Sequence, residues 1–369
     1  VHQLVKKSFW TSWGAECFSH SAPDLLEDAM NIETLRPRAR IERGAKNNLC
    51  DVPGVRVGHF TQAEGDRQTG VTVILPCAEN PFFSKLPCAS FVLNGFGKSL
   101  GLVQIDELGT LETPIALTNT LNVGRIHDAL VGHMIDACAE ENFVLRSVNP
   151  VVLECNDGDL NDIRNRSLGR EELERAFQSA QADFAQGAVG AGRGMICHGL
   201  KGGIGSASRV MEIGGQRYVL GVLALANHGR KADLLLGGEA IFAPEDSPAC
   251  DKGSCILVMA TNLPLTHRQL ARVIRRGSVG LARLGSFIGH GSGEVFLGFT
   301  TANRMPHGGD PALLSLRALN ESLMDVPFRA CAEAAEEAVF NALYYAETVT
   351  GRDGNTVVSL RDALRDPRP

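Results

Sequence analysis

Apolar residues in this chain fall into short runs separated by turn-forming residues. The runs are VTVIL (71–75), ASFVLNGFG (89–97), TPIALTN (113–119), NPVVLE (149–154), YVLGVLALAN (218–227), SCILVMATN (254–262) and EVFLGFTTAN (294–303). Each is bounded by Gly, Pro, Asn or Asp, and several are rich in β-branched side chains, so each predicts a strand. Upstream, Val52, Val55 and Val57 surround a Pro53-Gly54 turn, which reads as a strand edge. A helical period shows in three places. Ile126, Leu130, Met134 and Cys138 recur within 124–139. Leu270, Val273, Ile274 and Leu281 line one face of 266–284, behind Thr266, a suitable N-cap. An Ala-rich stretch, 326–348, turns Val339, Leu343 and Tyr344 inward. Many two-face strands and few long helices predict a layered α/β architecture.

Composition narrows the class. The chain has 369 residues, long enough to bury a core without a disulfide or metal staple. Its 44% apolar and 21% charged residues are ordinary for a globular protein. The formal net charge is −6 and no Lys/Arg run stands out, so no nucleic-acid partner is expected. The ten cysteines are scattered with no C-x-x-C pair, which predicts reduced core thiols in a cytoplasmic protein. The ten histidines are dispersed and read as surface or core residues, so neither a metal nor a cofactor is expected. No run reaches 18 apolar residues, and no membrane span is expected. Residues 1–48 are polar and mixed, lack a signal-peptide apolar region, and read as a loosely attached N-terminal extension. Residues 49–369 read as one catalytic domain.

Several familiar motifs fail on spacing. In NGFGKSLG (94–101) a phosphate-binding P-loop would need Gly where Val92 stands, and the glycines miss the dinucleotide spacing by one residue. Ser292 has His290 two residues before it, so the nucleophile elbow of α/β-hydrolases is absent.

One constellation remains. The polar segment APEDSPACDKG (243–253) separates two strongly apolar strands and ends at Gly253, and Ser254 then opens a strand. It reads as a surface connection or as a processing site. A serine hydroxyl is a poor nucleophile until a base takes its proton, and a serine at a new chain terminus carries its own base, the α-amine. The ordinary pKa of that amine is near 8, so much of it is neutral near physiological pH. Glycine before the serine tolerates the close approach and strained backbone of an N→O acyl shift. Ser292 and Glu294 are two apart, so on a strand they face one side and can orient the amine. Asn227 ends an apolar strand and can offer an amide N–H to an oxyanion.

In order, these segments resemble the L-aminopeptidase/D-alanine-esterase family, which includes the β-peptidyl aminopeptidases. The likeness runs through 51–76, 92–124, 150–164, 187–195 and 201–209 to GSCILVMATNLPL and SGEVFLGFTTAN, most of residues 51–303. It implies a four-layer αββα sandwich, Ntn-hydrolase-like and similar to ornithine acetyltransferase. It also implies self-cleavage into an α chain, 1–253, and a β chain, 254–369, assembled as a homo-oligomer. Residue by residue it makes Ser254 the nucleophile, Ser292 and Glu294 its partners, Asn227 the oxyanion donor and Glu154 the acceptor for the substrate's ammonium. The expected activity is removal of N-terminal residues from peptides, amino-acid amides and esters through an acyl-serine ester. The alternatives are an acyltransferase of the ornithine acetyltransferase type and a non-catalytic binding protein.

Overall fold

The computed structural model describes residues 32–244 and 253–365. In chain order the long strands are β1 (Arg56–Glu64), β2 (Arg67–Leu75), β3 (Ser84–Gly95), β4 (Ile115–Asn119), β5 (Val151–Cys155), β6 (Gly203–Ile213), β7 (Gln216–Asn227), β8 (Ser254–Thr261) and β9 (Gly293–Thr300). The helices are α1 (Leu102–Leu108), α2 (Val123–Glu140), α3 (Arg170–Gln178), α4 (His267–Ile274), α5 (Gly277–Arg283), α6 (Asp325–Tyr345) and α7 (Leu360–Arg365).

The smaller sheet has the order β1-β2-β4-β5. The larger runs Met305–Pro306, β3, β9, β8, β7, β6, with Thr110–Leu111 added at β3. Alternation decides the packing. Val57, Ile74, Leu117 and Leu153 of the smaller sheet meet Leu225, Ile256, Val258 and Leu297 of the larger in one buried core. The opposite face of the larger sheet, with Val222, Leu257 and Phe296, packs on α4 to α7. The opposite face of the smaller sheet, with Val71, Val73 and Val152, packs on α2 and α3. Strands covered on both faces are continuously apolar, which is why the runs in the sequence hardly alternate.

All seven runs fall in strands and the three helical stretches in helices, with one division. The stretch 266–284 forms two helices, because the chain tightens at Arg276, whose N–H bonds the Val273 carbonyl. Gly277 then presses on the sheet, where a Cβ would lie 2.6 Å from Leu257 Cδ1.

The described part of the N-terminal extension, residues 32–48, is strapped down, contrary to the loose attachment its polarity suggests. Arg36 and Arg43 pair with Glu337 of α6, and the backbone N–H groups of Arg40 and Ile41 bond Glu333. The polar residues are there to meet the buried carboxylates of α6, which Arg209 of β6 also contacts. The eight cysteines among the described residues are all buried. No helix among those residues is long and apolar enough to cross a membrane.

Candidate active site

Three strand ends converge at Ser254. It starts β8, stands opposite Asn227, the last residue of β7, and on its other side pairs with Gly293, the first of β9. Ser254 and Asn227 are each 7% exposed, just reachable from solvent. The preceding residue has to be glycine. A Cβ on Gly253 would lie 2.1 Å from the Asn227 carbonyl oxygen and 2.4 Å from His228 Cα. The Gly253 carbonyl, the one joined to Ser254, accepts a hydrogen bond from the Gly293 N–H at 3.1 Å. Gly293 is also constrained, since its Cβ would meet the Phe96 carbonyl oxygen at 2.5 Å and Ser254 Oγ at 3.1 Å.

Ser292 and Glu294 do lie on one side, fully buried, with the Ser292 hydroxyl donating to Glu294 Oε1. Because Ser254 pairs with Gly293, the two flank that residue and do not face its hydroxyl. Strand alternation gives Glu294 the side of Cys255. Asn94, whose role no sequence motif indicates, pins the turn leading into β9 by donating from Nδ2 to the carbonyls of Gly289 and Ser292.

The Asn227 side chain is held at both ends. Oδ1 accepts from the Ile196 N–H at 2.7 Å, and Nδ2 donates to the Asn156 carbonyl at 3.0 Å. A primary amide has two N–H groups, so one remains for a ligand. The Ile196 turn is in turn anchored by Lys201, fully buried, whose ammonium donates to the carbonyls of Gly192, Met195 and Gly202. Burial pushes the Lys201 pKa well down, and the three carbonyls occupy all its donors.

Glu154 lies at the end of β5, 4% exposed. Oε1 accepts from the Lys98 N–H at 2.9 Å and Oε2 from the Thr120 hydroxyl. Alternation turns Cys155 into the inter-sheet core and Glu154 away from it, against the loop 95–98. That loop is the link to Ser254, with Phe96 touching Gly293 and Lys98 bonding Glu154. Gly97 leaves room, since its Cβ would lie 3.3 Å from Glu154 Oε1. Burial, then the charges of Glu154 and Glu294, hold the Cys155 thiol far above its usual range, so both carboxylates act at this end of the sheets.

Two of the histidines that are dispersed in sequence are core residues and come together with a cysteine: one ligand atom from each of Cys197, His198 and His228 lies within 4.8 Å of the others. Thirty positions separate the two histidines in sequence, and only the meeting of the 196–201 hairpin with the end of β7 joins them.

Residues 47–357 match the sequence profile of peptidase family S58. The chain belongs to peptidase family S58. It is a serine-type aminopeptidase. A beta-peptidyl aminopeptidase of Sphingosinicella xenopeptidilytica is 37% identical over 344 residues, 86% of this chain and 85% of its own length. The crystal structure of a Pyrococcus horikoshii OT3 protein matches with TM-score 0.84 at 42% identity, covering 90% of this chain and 97% of that one. The L-aminopeptidase D-Ala-esterase/amidase of Ochrobactrum anthropi matches with TM-score 0.83 at 32% identity, covering 90% and 96%. That enzyme is presented as a prototype for the serine aminopeptidases and a new variant among the Ntn hydrolase fold. The family resemblance read from the sequence, and the aminopeptidase activity it implies, therefore stand.

Proposed function

We propose that this S58 aminopeptidase is made as a precursor that cuts itself between Gly253 and Ser254, and that the freed Ser254 is the nucleophile. The observation that carries this is the Gly253–Ser254 junction itself. Its carbonyl already accepts the Gly293 N–H, its glycine fits only without a side chain, and Ser254 Oγ borders the same strand end. In the first step Ser254 Oγ attacks the Gly253 carbonyl carbon, the C–N bond breaks as the hydroxyl proton passes to the nitrogen, and the glycyl group is left on oxygen as an ester. The Gly293 N–H stabilises the oxyanion. Water then hydrolyses the ester, which releases Gly253 as a carboxylate and restores the Ser254 hydroxyl beside the α-amine that the shift had freed.

In turnover that amine takes the proton from Oγ as it attacks the substrate carbonyl, and returns it to the leaving amine. Ser292 and Glu294, flanking Gly293, orient the amine and stabilise it when protonated. The remaining N–H of Asn227 supports the substrate oxyanion. Glu154 receives the substrate's terminal ammonium. Its two present donors leave acceptor capacity, because a carboxylate has about four lone-pair sites. Substrates are small peptides, amino-acid amides and esters. The three stacked cores support reading the fold as a four-layer αββα sandwich like that of ornithine acetyltransferase. Cleaved protomers assemble as a homo-oligomer, which sizing by light scattering tests. Intact-mass analysis of the purified protein tests the central claim. Fragments 1–253 and 254–369 are expected, and a single full-length mass after prolonged incubation at neutral pH overturns it.

A further inference from the structure

We propose that Cys197, His198 and His228 form a site for one thiophilic d10 cation, zinc(II), buried behind the Gly253–Ser254 junction. Among the described residues this is the one group of three side chains with metal-ligating spacing, and nothing in the aminopeptidase reaction uses it. The residues are 0%, 0% and 1% exposed. Cys197 Sγ lies 4.0 Å from His228 Nδ1. Zinc–sulfur and zinc–nitrogen bonds in tetrahedral geometry set neighbouring ligand atoms about 3.5 Å apart, so closure needs side-chain shifts of roughly half an ångström to 1 Å.

The two imidazoles are prepared for the role. His198 Nδ1 is 3.0 Å from the Arg230 carbonyl, which only accepts, so Nδ1 carries the proton and Nε2 the lone pair. An N–H bonded to a backbone carbonyl is how metal-bound histidines are oriented. His228 Nε2 is buried without a hydrogen-bond partner, so reorienting the ring costs no bond at that nitrogen. The backbone is also committed. His198 has φ 49°, a left-handed conformation unfavourable for a non-glycine residue, and its N–H bonds the His228 carbonyl at 2.6 Å. Gly229 has no Cβ because the His198 ring occupies that space, 2.5 Å away.

One thiolate with two imidazoles selects zinc(II) or copper(I) over magnesium or calcium. On binding, the Cys197 S–H bond breaks, the sulfur–zinc bond forms and the proton goes to solvent. Three protein ligands leave one position for water. The cation would clamp the 196–201 hairpin to the end of β7. Ile196 of that hairpin holds Asn227 Oδ1, so the clamp stiffens the wall of the nucleophile's pocket without touching substrate.

Cobalt(II) is the probe, because a tetrahedral cobalt–thiolate site absorbs in the near ultraviolet and visible. Chelator-treated full-length protein should bind one equivalent with both bands, release it to zinc, and show a Tm rise that saturates at one equivalent. Protein expressed in zinc-supplemented medium should hold about one zinc per chain by elemental analysis, which covers slow entry into a buried site. Cys197→Ser and His228→Gln should lose both bands at least tenfold in affinity, while Cys331→Ser keeps them, with far-UV circular dichroism reporting folding. If a ligand variant fails to fold, the thiolate band in wild type and its absence after zinc displacement decide alone. No thiolate band together with no zinc retained from supplemented cells overturns the site. A band that persists in folded Cys197→Ser overturns the assignment, and stoichiometric binding with unchanged Tm overturns the clamp.

Discussion

The neighbourhood of the proposed nucleophile is decided by single atoms. Replacing Ser254 by Ala removes the oxygen that both proposed reactions need, so cleavage and turnover should disappear together. Ser254→Cys should still cleave, because a thiol also performs the acyl shift. Full peptidase activity in the alanine variant, measured on an amino-acid p-nitroanilide, refutes the nucleophile. Gly253→Ala is a subtler test. Its methyl group would sit 2.1 Å from the Asn227 carbonyl oxygen, and backbone cannot swing aside as a side chain can. Self-cleavage should slow at least tenfold as the junction shifts off the Gly293 N–H, and wild-type cleavage kinetics by gel would remove that argument. Glu154→Gln addresses substrate binding. Loss of a charge-assisted bond to a buried ammonium costs about 2–3 kcal/mol, on the order of 30- to 150-fold in kcat/KM. Free alanine anilide should suffer that loss and its N-acetyl derivative little, with self-cleavage spared. Equal losses on the two substrates would show that Glu154 acts on the scaffold. The places of Ser254, Glu154 and Asn227 at strand ends were legible because each closes or opens an apolar run, whereas the roles proposed for them come from the family resemblance. Asn94, Lys98 and Thr120 were not, since their roles depend on where other strands bring them.

Between elements, the central device is the buried charge network of β6 and α6. Burial alone would raise the Glu337 carboxyl, but Arg209 and Arg43 more than offset this and hold it below its ordinary value. Arg209→Met removes the one fully buried cation from Glu333 and Glu337, leaving them the arginines and backbone N–H groups of the extension, and should cost about 3 kcal/mol, read as a lower denaturant midpoint at unchanged m-value. A loss under 1 kcal/mol would mean that the extension's arginines suffice. A second device joins β1, β2 and the 184–185 segment. His59 Nδ1 meets the Thr72 hydroxyl at 2.9 Å, Nε2 the Ala185 carbonyl at 3.1 Å, and burial lowers its pKa to about 4. The unfolded chain takes up this proton near pH 6.5 and the folded chain only near 4, so stability falls as pH drops through that window. The contribution is at most about 3 kcal/mol. Between pH 6.5 and 4 the Tm of His59→Gln should fall less steeply than that of wild type, and parallel curves would assign the acid sensitivity elsewhere. Strand β6 also shows where pattern reading fails. KGGIGSASR carries glycines that weaken any strand signal, yet Gly205 is needed because a Cβ there would lie 1.9 Å from the Ala338 carbonyl of α6. The alanines of α6 and the glycines of β6 are two halves of one close contact, which neither segment reveals alone. Helices α1 and α3 escaped as well, being short and, in α3, mostly charged.

At the scale of the whole molecule, the proposed cut has a topological consequence. Strands β3, β6 and β7 precede residue 253, whereas β8 and β9 follow it. In the larger sheet β9 and β8 lie side by side between β3 and β7, so the second fragment's strands are inserted into the first fragment's sheet. Strand β8 pairs with β7 from Asn227–Ser254 to Leu220–Thr261, and β9 pairs with β3 on the other side. Helix α6 of the second fragment adds the buried ion pairs to Arg209. Cutting one bond therefore removes no tertiary contact, and the two fragments should elute as one species on native sizing while separating in denaturant. Refolding is different, because the cut turns an intramolecular closure into an encounter of two chains. Closing a flexible loop costs only slowly more as it lengthens, but joining separate chains also loses translational and rotational freedom. Neither fragment can complete the larger sheet alone, and each exposes apolar strand edges while waiting. After dilution from denaturant, uncut Ser254→Ala should regain its circular dichroism with a yield independent of concentration at low micromolar levels. Cut wild type should refold with a yield that rises with concentration and then falls as aggregation sets in. If cut and uncut proteins refold with the same yield at every dilution, the interlocked arrangement of the fragments is not what holds the mature enzyme together.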